Sequence, residues 1–230
     1  MQTVLIAVLI GYLLGSIPFG YIVGKMRGID IRQHGSGNIG ATNVFRTLGR
    51  NWGVLVFALD VLKGVVAVRL AMNISDTYAG FIHFPSAAPG VLQGEPVMWI
   101  RIGFCQIPVD QFLGIVAGFG CFLGHCFPIW LGFKGGKGVA VGAGILIGLT
   151  PWTAIIGLAI WGIAFKISRY VSLASVLAAV SLPIIVWLLE RKTDAIFWFT
   201  LTISLLAIWR HRGNIQRLLA GTESRFEKKK

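Results

Sequence analysis

Apolar runs of bilayer length, separated by short basic and glycine-rich connections, constrain this chain more than any other feature. Residues 3–24 form the first run, and ~20 apolar residues are what a helix needs to cross the hydrocarbon core of a membrane. Further runs cover residues 52–72, 112–131, 139–165, a stretch entered at 170–175 and ending at Leu189, and 195–209. The 139–165 run is too long for one crossing and is interrupted by Thr150-Pro151, so two short, tilted segments are expected there. Charged residues make up 13% of the chain, against roughly 25% in soluble domains. The expectation is an all-α integral membrane protein: one domain over residues 1–230, a polytopic bundle of about seven transmembrane helices. The first run lacks a charged leader and runs into polar residues instead of a small-residue cleavage site, so it reads as a retained helix.

The net charge of +12 comes from 21 Lys and Arg against nine Asp and Glu. In a soluble protein that excess would suggest nucleic acid, but here the basic residues sit between apolar runs and no basic stripe interleaved with stacking aromatics occurs. With the N-terminus outside and seven crossings, 16 of the 21 basic residues fall on one side, in residues 25–50, 134–137, 166–169 and a tail at 210–230. The positive-inside rule makes that side the cytoplasm. A five-crossing arrangement, with 139–165 lying on the membrane surface, would keep the same sidedness. Residues 73–111, with Pro85, Pro89, Pro96 and Pro108, form a long extracytoplasmic insertion without evident chemistry, and His83 reads as a surface residue. Cys105, Cys121 and Cys126 set up no disulfide framework, and the last two read as packing residues.

Four polar motifs fall on the basic side. Gly35-Ser36-Gly37-Asn38-Ile39-Gly40-Ala41-Thr42-Asn43, flanked by His34 and Arg46, gathers hydroxyls, carboxamides and a guanidinium around three glycines. Backbone N–H groups in such a loop can turn toward an anion, although a plain loop or helix cap of Ser, Gly and Asn has the same composition. No βαβ unit surrounds it, so it is not a dinucleotide-binding turn. Gly124-His125-Cys126-Phe127-Pro128 leads into Phe133-Lys134-Gly135-Gly136-Lys137-Gly138, a second glycine-rich turn with two ammonium groups. Tyr170 to Ser175 and Arg210-His211-Arg212-Gly213-Asn214 complete the set. Within the second run, Asp60 and Lys63 share one helix face, where ionisable groups must pair or face a functional interior.

In these residues the chain resembles the bacterial acyl-phosphate:glycerol-3-phosphate acyltransferases, the PlsY family. The likeness covers nearly the whole chain, from Gly15-Ser16-Ile17-Pro18-Phe19-Gly20 through the Gly35–Asn43 run, Asp60-x-x-Lys63-Gly64 and Gly124 to Gly138, then Ser168 to Ser175 and Arg210-His211-Arg212-x-Asn214-Ile215. The 73–111 segment looks longer than the family usually has. The resemblance implies transfer of a fatty acyl group from acyl phosphate to the 1-hydroxyl of glycerol 3-phosphate, giving lysophosphatidic acid and phosphate. It places the chain in a bacterial cytoplasmic membrane with its site facing the cytoplasm. The partners implied are acyl phosphate, glycerol 3-phosphate, membrane lipid and, as a candidate, the enzyme that makes the acyl phosphate. No nucleic acid, cofactor or metal is implied.

Expected roles follow. Ser36, Asn38 and His125 are the catalytic candidates, His125 as proton acceptor or as a ligand of the acyl phosphate. Arg46, Lys134, His211 and Asn214 are expected to clamp glycerol 3-phosphate, the glycine loop (Gly37, Gly40) to take phosphate oxygens, and Ser172 and Lys137 to line the acyl-phosphate side; Lys63 joins the binding set. The His-x4-Asp dyad of CoA-dependent acyltransferases is missing, since Trp130 stands five residues after His125. A Gly-x-Ser-x-Gly nucleophile is also missing, and direct transfer without an acyl-enzyme is expected. A transporter of a phosphorylated small molecule is the alternative class. It would also use an intramembrane pair and broken helices, but it does not account for motifs gathered at one face.

Overall fold

The computed structural model describes residues 2–77, 87–92, 95–102, 105–190 and 194–226. In chain order it holds α1 (Gln2–Ser16), α2 (Phe19–Met26), α3 (Ala41–Leu48) and α4 (Arg50–Thr77), then strands β1 (Ala87–Leu92), β2 (Glu95–Ile102) and β3 (Cys105–Pro108). There follow α5 (Val109–Cys126), α6 (Val139–Leu149), α7 (Pro151–Ser168), α8 (Val171–Glu190), α9 (Ala195–Arg210) and α10 (Arg212–Leu219). The readings of His83 and Pro85, of Arg191 and Lys192 in the turn before α9, and of the terminal lysines fall outside the described residues.

Among the described residues, four helical stretches are long and apolar enough to cross a membrane: Gln2–Met26, Val109–Leu131, Pro151–Ser168 and Val171–Leu189. α6 and α9 are apolar but shorter, at 11 and 16 residues. α4 has the length, at 28 residues, but carries Asp60, Lys63 and Arg69. Prolines set two of the breaks. Pro18 lies between α1 and α2, and Pro151 opens α7, where its missing N–H costs nothing because a first-turn N–H has no intrahelical acceptor.

Glycines decide how closely the helices pack. A Cβ on Gly11 or Gly15 of α1 would stand 2.1 Å from the carbonyl oxygens of Ala117 and Cys121 on α5. In return, one on Gly120 or Gly124 would stand 2.3 or 2.2 Å from those of Val8 and Tyr12. Small residues four apart on both partners let two backbones touch, the usual way helices associate where lipid removes the hydrophobic drive. α4 meets α6 in the same manner, with Gly144 against the Val61 carbonyl. Phe122, Leu113, Ile145, Val68 and Val186 fill the space between α4, α5, α6 and α8, while Leu5, Leu9, Ile155 and Leu188 remain exposed on the periphery, as lipid-facing residues do. A second, smaller cluster of Val23, Ile31, Ile39, Val44, Val56 and Leu131 packs beneath residues 29–44 and anchors them to α2 and α4.

Three segments differ from the all-α reading and its loops. Residues 87–108 hold a three-stranded antiparallel sheet in the order β1-β2-β3, with Ala87 opposite Ile100 and Ile102 opposite Cys105. Its prolines read as breakers in sequence, yet Pro89 and Pro108 lie on the outer strands and Pro96 near the start of the central one, positions that tolerate a missing donor. Ile100 and Ile107 are buried where the sheet meets α5. The 25–50 connection contains α3, and the tail contains α10. Both are short and polar on one side, so neither shows as an apolar run.

Gly124→Val should break the α1–α5 contact, since its branched side chain would be forced into the Tyr12 carbonyl. The expected outcome is a loss of at least about 2 kcal/mol, seen as a lower melting temperature in detergent, with Gly162→Val, where a Cβ meets nothing within 4 Å, as the unaffected control.

Candidate active site

The Gly35–Asn43 run is tied into one conformation by Asn43, which is 2% exposed. Its Nδ2 donates to the carbonyls of Ile31, His34 and Asn38 at 3.1, 3.0 and 2.9 Å, and its Oδ1 accepts from the Ser36 N–H at 2.9 Å. Asn38 Oδ1 in turn accepts from the Gly40 N–H at 2.8 Å, just before α3 begins. Gly37 has φ +69°, which a side chain would strain, and its missing Cβ also leaves room for the Arg32 carbonyl. On this fixed loop Ser36 is exposed, and its hydroxyl has no hydrogen-bond partner among the described residues. Arg46 projects from α3, its Nη2 donating at 3.0 Å to the Ser224 carbonyl.

The second glycine loop is held from below and from the side. The Gly135 and Gly136 N–H groups donate to the Cys126 and His125 carbonyls, while Arg210 at the end of α9 donates to the Gly136 and Gly135 carbonyls at 3.0 and 2.9 Å. A Cβ on Gly136 would meet His125 Nε2 at 2.1 Å, so the imidazole lies directly beneath the loop. Lys137 leaves this loop half-buried, and its Nζ donates to Asn214 Oδ1. Burial pushes the Lys137 ammonium down to about 8, with Arg217, Arg210 and Arg46 adding to the shift and Glu223 opposing it.

Asn214 comes from α10 and Ser172 from the first turn of α8, and both reach the same carboxylate. Glu223 Oε1 accepts from Ser172 Oγ at 2.7 Å and from Asn214 Nδ2 at 2.6 Å, and its Oε2 from Arg217 Nε at 2.8 Å. Burial alone would raise the Glu223 carboxyl, but the hydrogen bonds from Asn214, Ser172 and Arg217 prevail and hold it below its usual value. His211, between α9 and α10, is buried, and its Nδ1 donates to the Ala207 carbonyl at 2.8 Å, which leaves Nε2 with the lone pair.

Beneath this end of the bundle lies a buried ionic group. Lys63 Nζ is 2.8 Å from Asp60 Oδ1, 3.1 Å from His125 Nδ1 and 3.0 Å from the Ile17 carbonyl, which lies at the α1–α2 break and also accepts from the Phe19 N–H. Asp60, Lys63 and His125 are 2, 4 and 5% exposed.

The structure therefore brings Lys137, Ser172 and Asn214 together, with Arg46 joined to them through the strand of tail after α10. Gly37, Gly40, Ser36 and Asn38 sit on the loop before Arg46. Lys134 is exposed and its side chain joins no pair among the described residues. His125 and Lys63 lie under the second loop, bonded to each other. Sequence reasoning passed over Asn43, Arg210, Arg217 and Glu223. Asn43 was visible as the last polar residue of its motif, and Arg210 as the first of its own; nothing in the chain order of Arg217 and Glu223 points to the site.

A helical fold with four stretches able to cross a membrane, carrying two fixed glycine-rich loops and clustered cations, defines an integral membrane protein with a cationic polar site. Residues 5–221 match the family described as glycerol-3-phosphate acyltransferase. The chain is 41% identical to the glycerol-3-phosphate acyltransferase of Agrobacterium fabrum, over 97% of this chain and 92% of that one, and 37% identical to that of Aquifex aeolicus, over 96% and 98%. Its fold is similar to the crystal structure of PlsY, an integral membrane glycerol 3-phosphate acyltransferase. The glycerol 3-phosphate form gives a TM-score of 0.78 at 36% identity over 97% of this chain and 96% of that one; the lysophosphatidic acid form gives 0.76 at 35%, over 97% and 95%. The chain belongs to the glycerol-3-phosphate acyltransferase family.

Asn43→Ala removes the acceptor of the Ser36 N–H and the NH2 group shared among the Ile31, His34 and Asn38 carbonyls at once. It should destabilise the protein by about 2–3 kcal/mol and speed amide hydrogen exchange across residues 35–40, as mass spectrometry of the membrane-extracted protein would read.

Proposed function

We propose that this chain transfers a fatty acyl group from acyl phosphate to the 1-hydroxyl of glycerol 3-phosphate, releasing lysophosphatidic acid and phosphate at the start of phospholipid synthesis. The observation that carries this reading is the convergence of Ser172, Asn214 and Arg217 on the Glu223 carboxylate, with Lys137 held on Asn214, beside the Arg46 helix and its rigid glycine loop, which gathers candidate phosphate-binding groups at one end of the bundle. Membership of the family and the likeness to glycerol 3-phosphate and lysophosphatidic acid forms of PlsY support it. The charge distribution supports a cytoplasmic site, an outside N-terminus and a cytoplasmic tail; the break between α6 and α7 supports seven crossings over five, and family membership supports a bacterial inner membrane.

The chemistry asks for little beyond position and charge. The glycerol hydroxyl oxygen forms a bond to the acyl carbonyl carbon, the carbon–oxygen bond to phosphate breaks, and the hydroxyl hydrogen ends on the released phosphate. Acyl phosphate is a mixed anhydride with a good leaving group, so aligning two anionic substrates and neutralising their phosphates supplies most of the rate. Arg46, with a planar fork, and Lys137, with a point charge, are the phosphate-binding cations. Lys134, exposed three residues before Lys137, meets the incoming substrate. The free hydroxyl of Ser36, with Asn38 and the N–H groups around Gly37 and Gly40, orients the reacting groups; His211 Nε2 accepts a hydrogen bond from the glycerol. With Nδ1 against Lys63 and its ring under Gly136, His125 acts by shaping the second loop rather than by taking the proton.

Purified protein should release phosphate from palmitoyl phosphate only when glycerol 3-phosphate is present. Ser36→Ala and Arg46→Ala should each lower kcat/KM at least about 100-fold, the loss typical of a group that contacts the transition state. Turnover with palmitoyl-CoA alone would overturn the donor, and inactivity with both donors would favour the transporter reading.

The sign of the pH dependence is fixed by Lys137. Its ammonium binds phosphate only when protonated, so KM for acyl phosphate should rise as pH climbs through about 8. Lys137→Arg, charged throughout, should flatten that rise, as initial rates between pH 6 and about 10 would show.

A further inference from the structure

The tail beyond α10 turns back into the site. Glu223 has a side chain only 5% exposed, although it follows every helix of the bundle. The segment around it is docked at each residue from 223 to 226. Ser224 gives its carbonyl to Arg46, Arg225 lies over the Tyr170 ring at 5.3 Å, and the Phe226 N–H donates to the Arg169 carbonyl at 2.9 Å. The Phe226 ring stands edge-on to Phe45 of α3 and Phe165 of α7, at 4.9 and 5.6 Å. One short segment thereby joins α3, α7, α8 and α10, the elements that carry or flank Arg46, Ser172 and Asn214.

The carboxylate has a directing effect. An amide side chain offers an oxygen on one side and an NH2 on the other. Because Asn214 donates its NH2 to Glu223, its oxygen must face Lys137, and that oxygen holds the ammonium. Arg217 closes on the other carboxylate oxygen, and Ser172 can point its proton only one way while it donates to Oε1. The groups that act electrostatically on Lys137 from its surroundings are Glu223, Arg217, Arg210 and Arg46, with His211 beside it. Glu223 is the one acid in that set.

We propose that Glu223 is a positioning residue of the acyl-transfer site: it fixes the amide of Asn214 and the hydroxyl of Ser172, and through Asn214 it sets the place of Lys137. This rests on the acyltransferase reading for its consequence in turnover, but the effect on Lys137 stands apart from turnover. The Glu223 carboxylate also opposes the loss of the Lys137 proton, so its removal lets the ammonium give up that proton at lower pH.

The test uses the full-length protein in detergent with Glu223→Gln, Glu223→Ala, Asn214→Ala and the Glu223→Gln/Asn214→Ala pair. Gln keeps an acceptor for Ser172 and Asn214 but removes the charge. The expected losses in kcat/KM are about tenfold for Gln and about 100-fold for Ala. The pair should fall no lower than its worse single variant, as residues in one chain of contacts do. In parallel, pH-dependent acetylation of Lys137 by acetic anhydride, read by mass spectrometry, should shift to lower pH in Glu223→Gln while the melting temperature stays within a few degrees of the parent. Unchanged Lys137 labelling, or additive losses in the pair, would overturn the proposal. A lower KM for glycerol 3-phosphate in Glu223→Gln would also overturn it, showing that the carboxylate occupies the place of the phosphate. If the parent protein turned over neither donor, the acyltransferase reading would fail while the labelling shift still decided the role of Glu223.

Discussion

A buried ammonium must find oxygen or nitrogen partners or else lose its proton, and Lys63 finds them on three separate elements. Asp60 lies one turn back on its own helix, the Ile17 carbonyl lies at the break between α1 and α2, and His125 closes α5. This contact fixes the depth of α5 against α4 and the angle at which α2 leaves α1. His125 in turn supports Gly136, so the loop bearing Lys137 sits where Lys63 puts it. Removing one member of such a group leaves an uncompensated charge, which is why buried ion groups specify geometry more reliably than they add stability.

Rigidity above this group comes from backbone contact. The α1–α5 and α4–α6 interfaces close at carbonyl-to-Cα distance through Gly11, Gly15, Gly120, Gly124 and Gly144, leaving little freedom for sliding. The Gly35–Asn43 loop is likewise settled before any ligand arrives, because Asn43 spends its whole amide on that loop and the turn before it. A preordered loop does not lose conformational entropy again on binding, and that saving goes directly into alignment of the reacting groups.

Much of this was legible in the chain. The breaks at Pro18 and Pro151, the split of residues 139–165, the pairing of Asp60 with Lys63 and the burial of Cys121 and Cys126 all follow from local chemistry, and the structure has each. The family followed from ordered motifs. What was not legible depends on long-range contact. Asn43 reads as one more loop residue until its four partners are seen, and the neighbours of His125, Lys63 on α4 and Gly136 on the second loop, follow from no local pattern. Arg217 and Glu223 belong to a polar tail whose composition suggests solvent. The sheet at residues 87–108 was hidden by prolines whose harm depends on which strand they occupy. α3 and α10 escaped because eight-residue helices carry too little periodicity to separate from loop.

The docking of Glu223 and Phe226 has a consequence for how the molecule matures. Chains fold as they are made, with earlier segments first, and these residues are synthesised after the last helix of the bundle. A nascent chain with all its membrane helices in place still has Asn214 held only from the Lys137 side and Arg46 without its Ser224 acceptor. Assembly in the bilayer and completion of the Glu223 network are thus separate events in time, and the second waits on the last turn of backbone to reach across from α10 to α3.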